Sequence, residues 1–173
     1  MASRASEPFS LGIEATTDHE ILERLRRAFD GGEMLGPVAE ELIAAAEVEI
    51  GLRFPRSYRL FLKNFGAVHF AYVIAGLPVT RYTDAEPPYW SNVLDDTLRC
   101  RRASRGLIPH SYIPVSADGG DFVFYFETAS PSDDGECPVV VLGPGKDGIQ
   151  VASSFVEFIE KALACNLFPA EAE

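Results

Sequence analysis

The sequence predicts an α+β domain, with N-terminal helices packed on a mainly antiparallel sheet of about four to six strands and a C-terminal helix to close it. Three observations carry this. Residues 46–66 join two helices through a Gly and Phe-Pro corner, short β-branched and aromatic segments follow from His69 onward, and a helical apolar pattern returns after residue 151. The expected division is a loosely ordered lead-in over 1–16, one domain over 17–168 and a tail over 169–173. A chain of 173 residues buries about 70% of its unfolded surface, enough for one core without metal or disulfide support.

Each element has a local cause. Thr17-x-x-Glu20 is a capping-box pattern, in which hydroxyl and carboxylate satisfy the orphan N–H groups of a helix start. The helix it opens carries Ile21, Leu22, Leu25 and Phe29 on one side, sets Glu20 before Arg24 and Glu23 before Arg27 at i,i+4, and stops at Gly31-Gly32. A second helix, about 38–50, turns Leu42, Ile43, Ala46 and Ile50 inward. Gly51 can take the left-handed conformation that closes it, and Pro55 presets φ for the next helix while giving up only an N–H that is orphaned there. Tyr58, Phe61, Leu62 and Phe65 then fall at i, i+3, i+4 and i+7, a stripe that must be buried, on a helix with Lys63 in its last turn and Gly66 at its end.

Strands are expected at 69–75, 113–116, 122–127, 139–142 and 149–151, each short and separated by turn residues, which reads as an antiparallel meander. Asp118-Gly119-Gly120-Asp121 suits a tight hairpin, and residues 143–148 make a second, longer turn. Between the first two strands lies a helix-like piece, 91–102, with Val93, Leu94 and Leu98 inward. Ser154-x-x-Glu157 caps a last helix bearing Phe155, Phe158, Ile159, Ala162 and Leu163.

Glu47, Gly51, Phe54, Pro55, Tyr58, Phe61, Leu62 and Gly66 together resemble the core signature of the SUKH superfamily, in which a helix with a late Glu leads through a Gly and a Phe-Pro to a Tyr-containing helix closed by a Gly. Residues 113–127 look like its second signature, a strand, an Asp-Gly turn and an aromatic strand, and 151–163 look like its closing helix. The order agrees over roughly residues 18–165. Where the family commonly continues its last strand into an aromatic residue and an acidic or His-bearing loop, this chain has Leu142-Gly143-Pro144-Gly145. The resemblance implies a protein that binds other proteins. Bacterial members are largely immunity proteins against secreted polymorphic toxins, often nucleases, and fungal relatives act in cell-wall regulation. Neither catalytic residues nor a cofactor come with the likeness.

Charge narrows the partner. The net charge is −11, and residues 1–105 hold 13 of the 15 bases and 15 of the 26 acids, leaving 2 bases and 11 acids beyond, so the split is −2 against −9. That field disfavours nucleic acid or an anionic membrane and speeds encounter with a basic protein. Solubility alone is the plainer use of such acids. Cys100, Cys137 and Cys165 are odd in number and far apart, fitting neither a disulfide framework nor a zinc site and pointing to a reducing compartment. With neither a signal-like apolar core at the start nor a run of about 18 apolar residues, the expected location is the cytoplasm, as a monomer or weak dimer.

Chemistry-bearing motifs are sparse. His19, His69 and His110 each stand alone, and neither G-x-S-x-G nor a phosphate-cradling loop occurs, since Lys146 precedes Asp147 rather than Ser or Thr. Asp118 and Asp121 form a carboxylate pair suited to Mg²⁺, although the hairpin needs those residues for backbone reasons alone. Arg99, Arg101, Arg102 and Arg105 follow a helix end, where cations suit the macrodipole; anion binding is the alternative. The expected contact surface is polar and aromatic: Asp84, Glu86, Tyr89 and Trp90 in the 81–90 loop, Asp118 and Asp121 in the hairpin, and Asp133, Asp134 and Glu136 in the 128–137 loop. Tyr89 and Trp90 folding back onto the core is the competing reading. The expectation is thus a non-catalytic immunity protein, with a regulatory scaffold and a Mg²⁺-dependent phosphoesterase using Asp118 and Asp121 as alternatives. Titration of Mg²⁺ or Mn²⁺ during thermal unfolding separates the last, because a specific site raises the melting temperature. No rise is expected, and a saturable one would restore the phosphoesterase.

Overall fold

The computed structural model describes residues 16–69, 72–78 and 91–168. Five helices, α1 (Asp18–Ala28), α2 (Glu40–Ile50), α3 (Arg56–Asn64), α4 (Val93–Ser104) and α5 (Phe155–Leu163), accompany a single sheet. Its seven strands are β1 (Glu33–Met34), β2 (Val68–His69), β3 (Val73–Ile74), β4 (Tyr112–Ala117), β5 (Val123–Glu127), β6 (Val139–Gly143) and β7 (Lys146–Ala152). They lie in chain order and every pairing is antiparallel, the predicted meander with one or more strands beyond the predicted number. The excess has a simple origin. The expected strand at 69–75 is two strands, with Val68 opposite Ile74 and His69 opposite Val73, and β1 adds a pair of residues too short to show alternation.

Other boundaries moved for reasons visible in the caps. Helix α1 has the full Thr17 and Glu20 capping box but stops at Ala28, with Phe29 as its C-cap, ahead of the two glycines. Its acids and bases do not pair as i,i+4 spacing suggests: Glu20 is spent on Thr17, Arg24 reaches Glu160 of α5, and Glu23 takes Arg26. Tertiary partners outcompete solvated neighbours on the same helix. Helix α4 starts two residues later than expected because Asn92 accepts from the N–H groups of Leu94 and Asp95. The expected long turn at 143–148 is a two-residue hairpin, with Gly143 opposite Lys146.

The core lies between one face of the sheet and helices α1, α3 and α5, which pack on one another. Its centre is aromatic. Tyr58 is fully buried, with ring centroids 4.9 Å from Phe126, 5.2 Å from Phe155 and 5.5 Å from Phe61, and Phe29 packs 5.6 Å from Phe61. Such pairs contribute about 0.5–1.5 kcal/mol each beyond burial. The Tyr58 hydroxyl donates to the carbonyl of Ala75, so the one polar atom of that ring is satisfied. Burial first, and then the nearby Asp96 carboxylate, push this phenol well above its ordinary value, keeping it a donor.

The corner between α2 and α3 depends on a buried acid. Gly51 closes α2 at φ 75 with its N–H on the Glu47 carbonyl. The Glu47 side chain, 9% exposed, accepts from the Phe54 N–H at 2.8 Å through one oxygen and pairs with Arg59 at 2.5 Å through the other. The chain therefore cannot leave the corner in another direction without stranding a buried carboxylate. At the far end of α3, Gly66 has φ 73, and a Cβ there would lie 2.1 Å from the Gly36 carbonyl oxygen.

Replacing Glu47 by Ala strands the Phe54 N–H and takes from Arg59 one of its two carboxylates, and should cost about 3 kcal/mol in urea unfolding. Glu47→Gln keeps one acceptor and should lose less. Equal losses for the two variants would remove the ion pair from this account.

Candidate partner-binding surface

Helix α3 has no cap of its own. Its N-cap is Pro55, which has neither a side-chain acceptor nor an N–H, so the first donors of the helix must find partners elsewhere. They find them 79 residues on. The Arg56 N–H donates to the Gly135 carbonyl at 2.9 Å, the Ser57 N–H to Glu136 Oε1 at 2.8 Å, and the Ser57 hydroxyl to Glu136 Oε2 at 2.7 Å. The loop between β5 and β6 is thereby fixed to the start of α3. Within it, the Ser132 hydroxyl bonds the Asp134 carboxylate and holds that carboxyl below its usual range, while the Glu136 N–H donates back to Ser132 Oγ.

Between this loop and the outer face of α3 runs a groove with a cavity of about 690 Å³. Arg53, Arg56, Arg59 and Lys63 line it, the solvent-side counterpart of the apolar stripe. Internal acids offset most of this charge. Arg56 bonds Asp18 and, at 3.0 Å, the Thr16 carbonyl; Arg59 and Lys63 share Glu40. The Lys63 hydrogen bond is the main cause holding the Glu40 carboxyl below its usual range. Asp133 adds a further acid to the lining. Spacings of three, three and four along the sequence show this cationic stripe, a signal that attention to the apolar face alone passes over.

The predicted contact residues do not form one surface. Asp84, Glu86, Tyr89 and Trp90 lie outside the described residues. Asp118 and Asp121 sit in the β4–β5 turn, where Asp118 Oδ1 accepts from the N–H groups of Gly120 at 2.8 Å and Phe122 at 3.2 Å. That is the turn chemistry expected of it, and both acids remain exposed. Asp133 and Asp134 are exposed at the other end of β5, whose five residues separate them from the turn by about 17 Å. Glu136 is corrected: at 7% exposure, with both oxygens bonded to Ser57, it holds the loop and offers nothing to a partner. Arg101 is partly structural as well, donating to the carbonyls of Ile50 at 2.7 Å and His110 at 2.9 Å. The basic cluster thus serves the C-terminus of α2 as well as of its own helix. Among the described residues, no group of three or more His, Cys, Asp or Glu side chains is placed to hold a metal, and no helix is long and apolar enough to cross a membrane.

A family model described as SUKH_5, SMI1-KNR4 cell-wall, matches residues 19–164. The chain belongs to the SUKH family. No curated protein matches it. The SUKH match begins within α1 and ends one residue after α5, so it takes in the whole sheet, the corner and the α3 cap. The signature residues that carry the likeness, Glu47, Gly51, Phe54, Tyr58 and Phe61, are packing and turn residues, and they identify the fold rather than a contact surface.

Burial raises the Glu136 carboxyl and outweighs the two Ser57 bonds that lower it. An acid held above its unfolded value favours folding most when protonated, so its contribution is full below the unfolded value of about 4.3 and declines as pH rises through the folded one. Glu136→Ala should cost about 1–3 kcal/mol. The stability of the wild type relative to Glu136→Gln should shrink as pH rises above the ordinary carboxylate range in urea titrations, whereas a growing margin would contradict the raised carboxyl.

Proposed function

We propose that this SUKH protein is an intracellular immunity protein that binds a cognate polymorphic toxin, basic and of nuclease type, and neutralises it by covering its surface. The observation that carries the reading is the family match over residues 19–164. The charge distribution supports it, with 11 acids and 2 bases beyond residue 105. Exposed acids at both ends of β5 give a basic partner two points of electrostatic attraction, and a rigid sheet holds them at fixed separation. In this reading the chain transforms no ligand and has no catalytic residues, and Asp118, Asp121, Asp133 and Asp134 join Asp84, Glu86, Tyr89 and Trp90 as contacts.

The cell-wall description of the matched family favours a second reading, a regulatory scaffold that recruits endogenous proteins. The two differ in partner rather than in physics. The gene's neighbours decide between them: a large toxin gene immediately upstream, with rescue of growth when the two are co-expressed, supports immunity, and an isolated gene supports the scaffold.

For the immunity reading, Asp133→Lys with Asp134→Lys should slow association with the toxin about tenfold at low salt and flatten its salt dependence. Stopped-flow rates that match the wild type across the salt series would take this loop out of the interface.

A further inference from the structure

The sheet has a face turned away from the aromatic core. Phe124, Phe126 and Val141 point into that core, so alternation along β5 and β6 sends Tyr125, Glu127 and Leu142 to the opposite side. Cross-strand partners share a face, which adds Tyr112, opposite Glu127, and Asp147, opposite Leu142. Lys146, the one base in strands β4 to β7, pairs with Gly143 and therefore takes the core side. The outer face of these strands carries acids and no cation.

This face is concave. The Tyr112 ring packs 5.7 Å from that of Tyr125, and its hydroxyl lies only 3.0 Å from where a Cβ on Gly148 would stand. Strands β5 and β6 separate the two residues, and three strand spacings of about 4.8 Å make about 14 Å, more than a tyrosine side chain spans on a flat sheet. The curl has a local cause. Gly148 is an extra residue of β7 between the pairs Val141–Ile149 and Leu142–Asp147, with φ 70, and such a bulge bends its strand and re-aims the side chain beside it.

Two carboxylates flank the Tyr112 ring. Glu127 Oε1 accepts from the Ala129 N–H at 2.9 Å and the Ser111 hydroxyl at 3.2 Å, which fixes the side chain and leaves Oε2 without a bond among the described residues. Asp147 is exposed, and among the described residues no base pairs with its carboxylate. Burial first, and then Glu127 and Asp147, hold the Tyr112 phenol above its ordinary value, so both charges that act on it are negative. Arg101, which bonds the His110 carbonyl two residues before Tyr112, does not enter that balance.

We propose that this concave face takes one arginine of the protein partner, its guanidinium stacked on the Tyr112 ring and donating to the carboxylates of Glu127 and Asp147. A planar guanidinium offers five donors and stacks on aromatic faces, whereas a lysine is a point charge, so a ring between two carboxylates selects arginine. The inference rests on the immunity reading only for the partner's identity, and it supplies what the exposed acids of the turn and loop lack, an aromatic anchor of the kind that dominates binding energy.

The probe is acetyl-Gly-Arg-Gly-amide, titrated into the full chain and followed by amide chemical shifts, with the same peptide carrying citrulline, equal in shape and uncharged, as control. Saturable shifts are expected at Tyr112, Glu127, Asp147 and Gly148 for the Arg peptide alone. Asp147→Asn removes a carboxylate that holds nothing inside the protein and should weaken binding about threefold. Tyr112→Leu keeps apolar bulk but loses the ring, and should weaken it about fivefold. Urea unfolding checks that each variant folds, and Asp147→Asn carries the test if Tyr112→Leu does not. No saturable response, equal shifts with the citrulline peptide, or wild-type affinity in either folded variant would overturn the proposal. Toxin rescue reports separately: rescue without peptide binding removes this face and keeps immunity, whereas peptide binding without rescue keeps the face and removes the toxin as its partner.

Discussion

The start of α3 is the constraint on which the rest of the molecule depends. A helix that opens on Pro55 gains a preset φ but has no side-chain acceptor for its first N–H groups, and here those groups are buried. Water cannot satisfy them. A carboxylate and a carbonyl from the β5–β6 loop do so, and the register of β5 on β6 sets where that loop lies. The helical layer and the sheet are therefore coupled through hydrogen bonds as well as through apolar contact. Register errors in a meander are otherwise inexpensive at loop level, and this bond set penalises them.

The same helix supplies the centre of the core. Its inward stripe of Tyr58, Phe61 and Leu62 meets Phe29 from behind α1, Phe126 from β5 and Phe155 from α5, so one nine-residue helix touches every layer. Glu47 fixes its entry through Phe54 and Arg59, Glu136 fixes its first turn, and Tyr58 fixes its distance to the sheet through Ala75. Three buried polar contacts at three points determine a rigid body's placement, which explains why a family signature concentrates in so short a stretch. The signature is a set of positioning residues, and the surface that meets a partner is free to vary around it.

How much of this was legible follows from the range of each interaction. The α1 capping box, the Ser154 cap of α5, the Gly51 stop, the Tyr58 stripe and the Asp118 turn are local, set by residues within about four positions, and pattern reading recovers them. The two-residue strands β1, β2 and β3 exist because neighbours across the sheet hold them, and two residues are too few to show alternation. Glu136 is misread for the same reason: within its loop it is one more acid beside Asp133 and Asp134, and only the fold brings Ser57 to it. A helix that starts on Pro with no Ser, Thr, Asp or Asn in the four residues ahead of it does announce that a donor set needs a distant acceptor. The sequence carries the demand but does not name the supplier.

Charge acts on a different scale from these contacts. The exposed acids Asp118 and Asp121 lie in a turn, and Asp133 and Asp134 in a loop, at opposite ends of β5, so no single basic patch of a partner meets all four at close range. At distances near the Debye length, about 8 Å at physiological salt, each is felt in steering but little in the bound state. Affinity must come from somewhere more desolvated. The groove along α3 balances its cations with its own acids, leaving small net attraction for either sign.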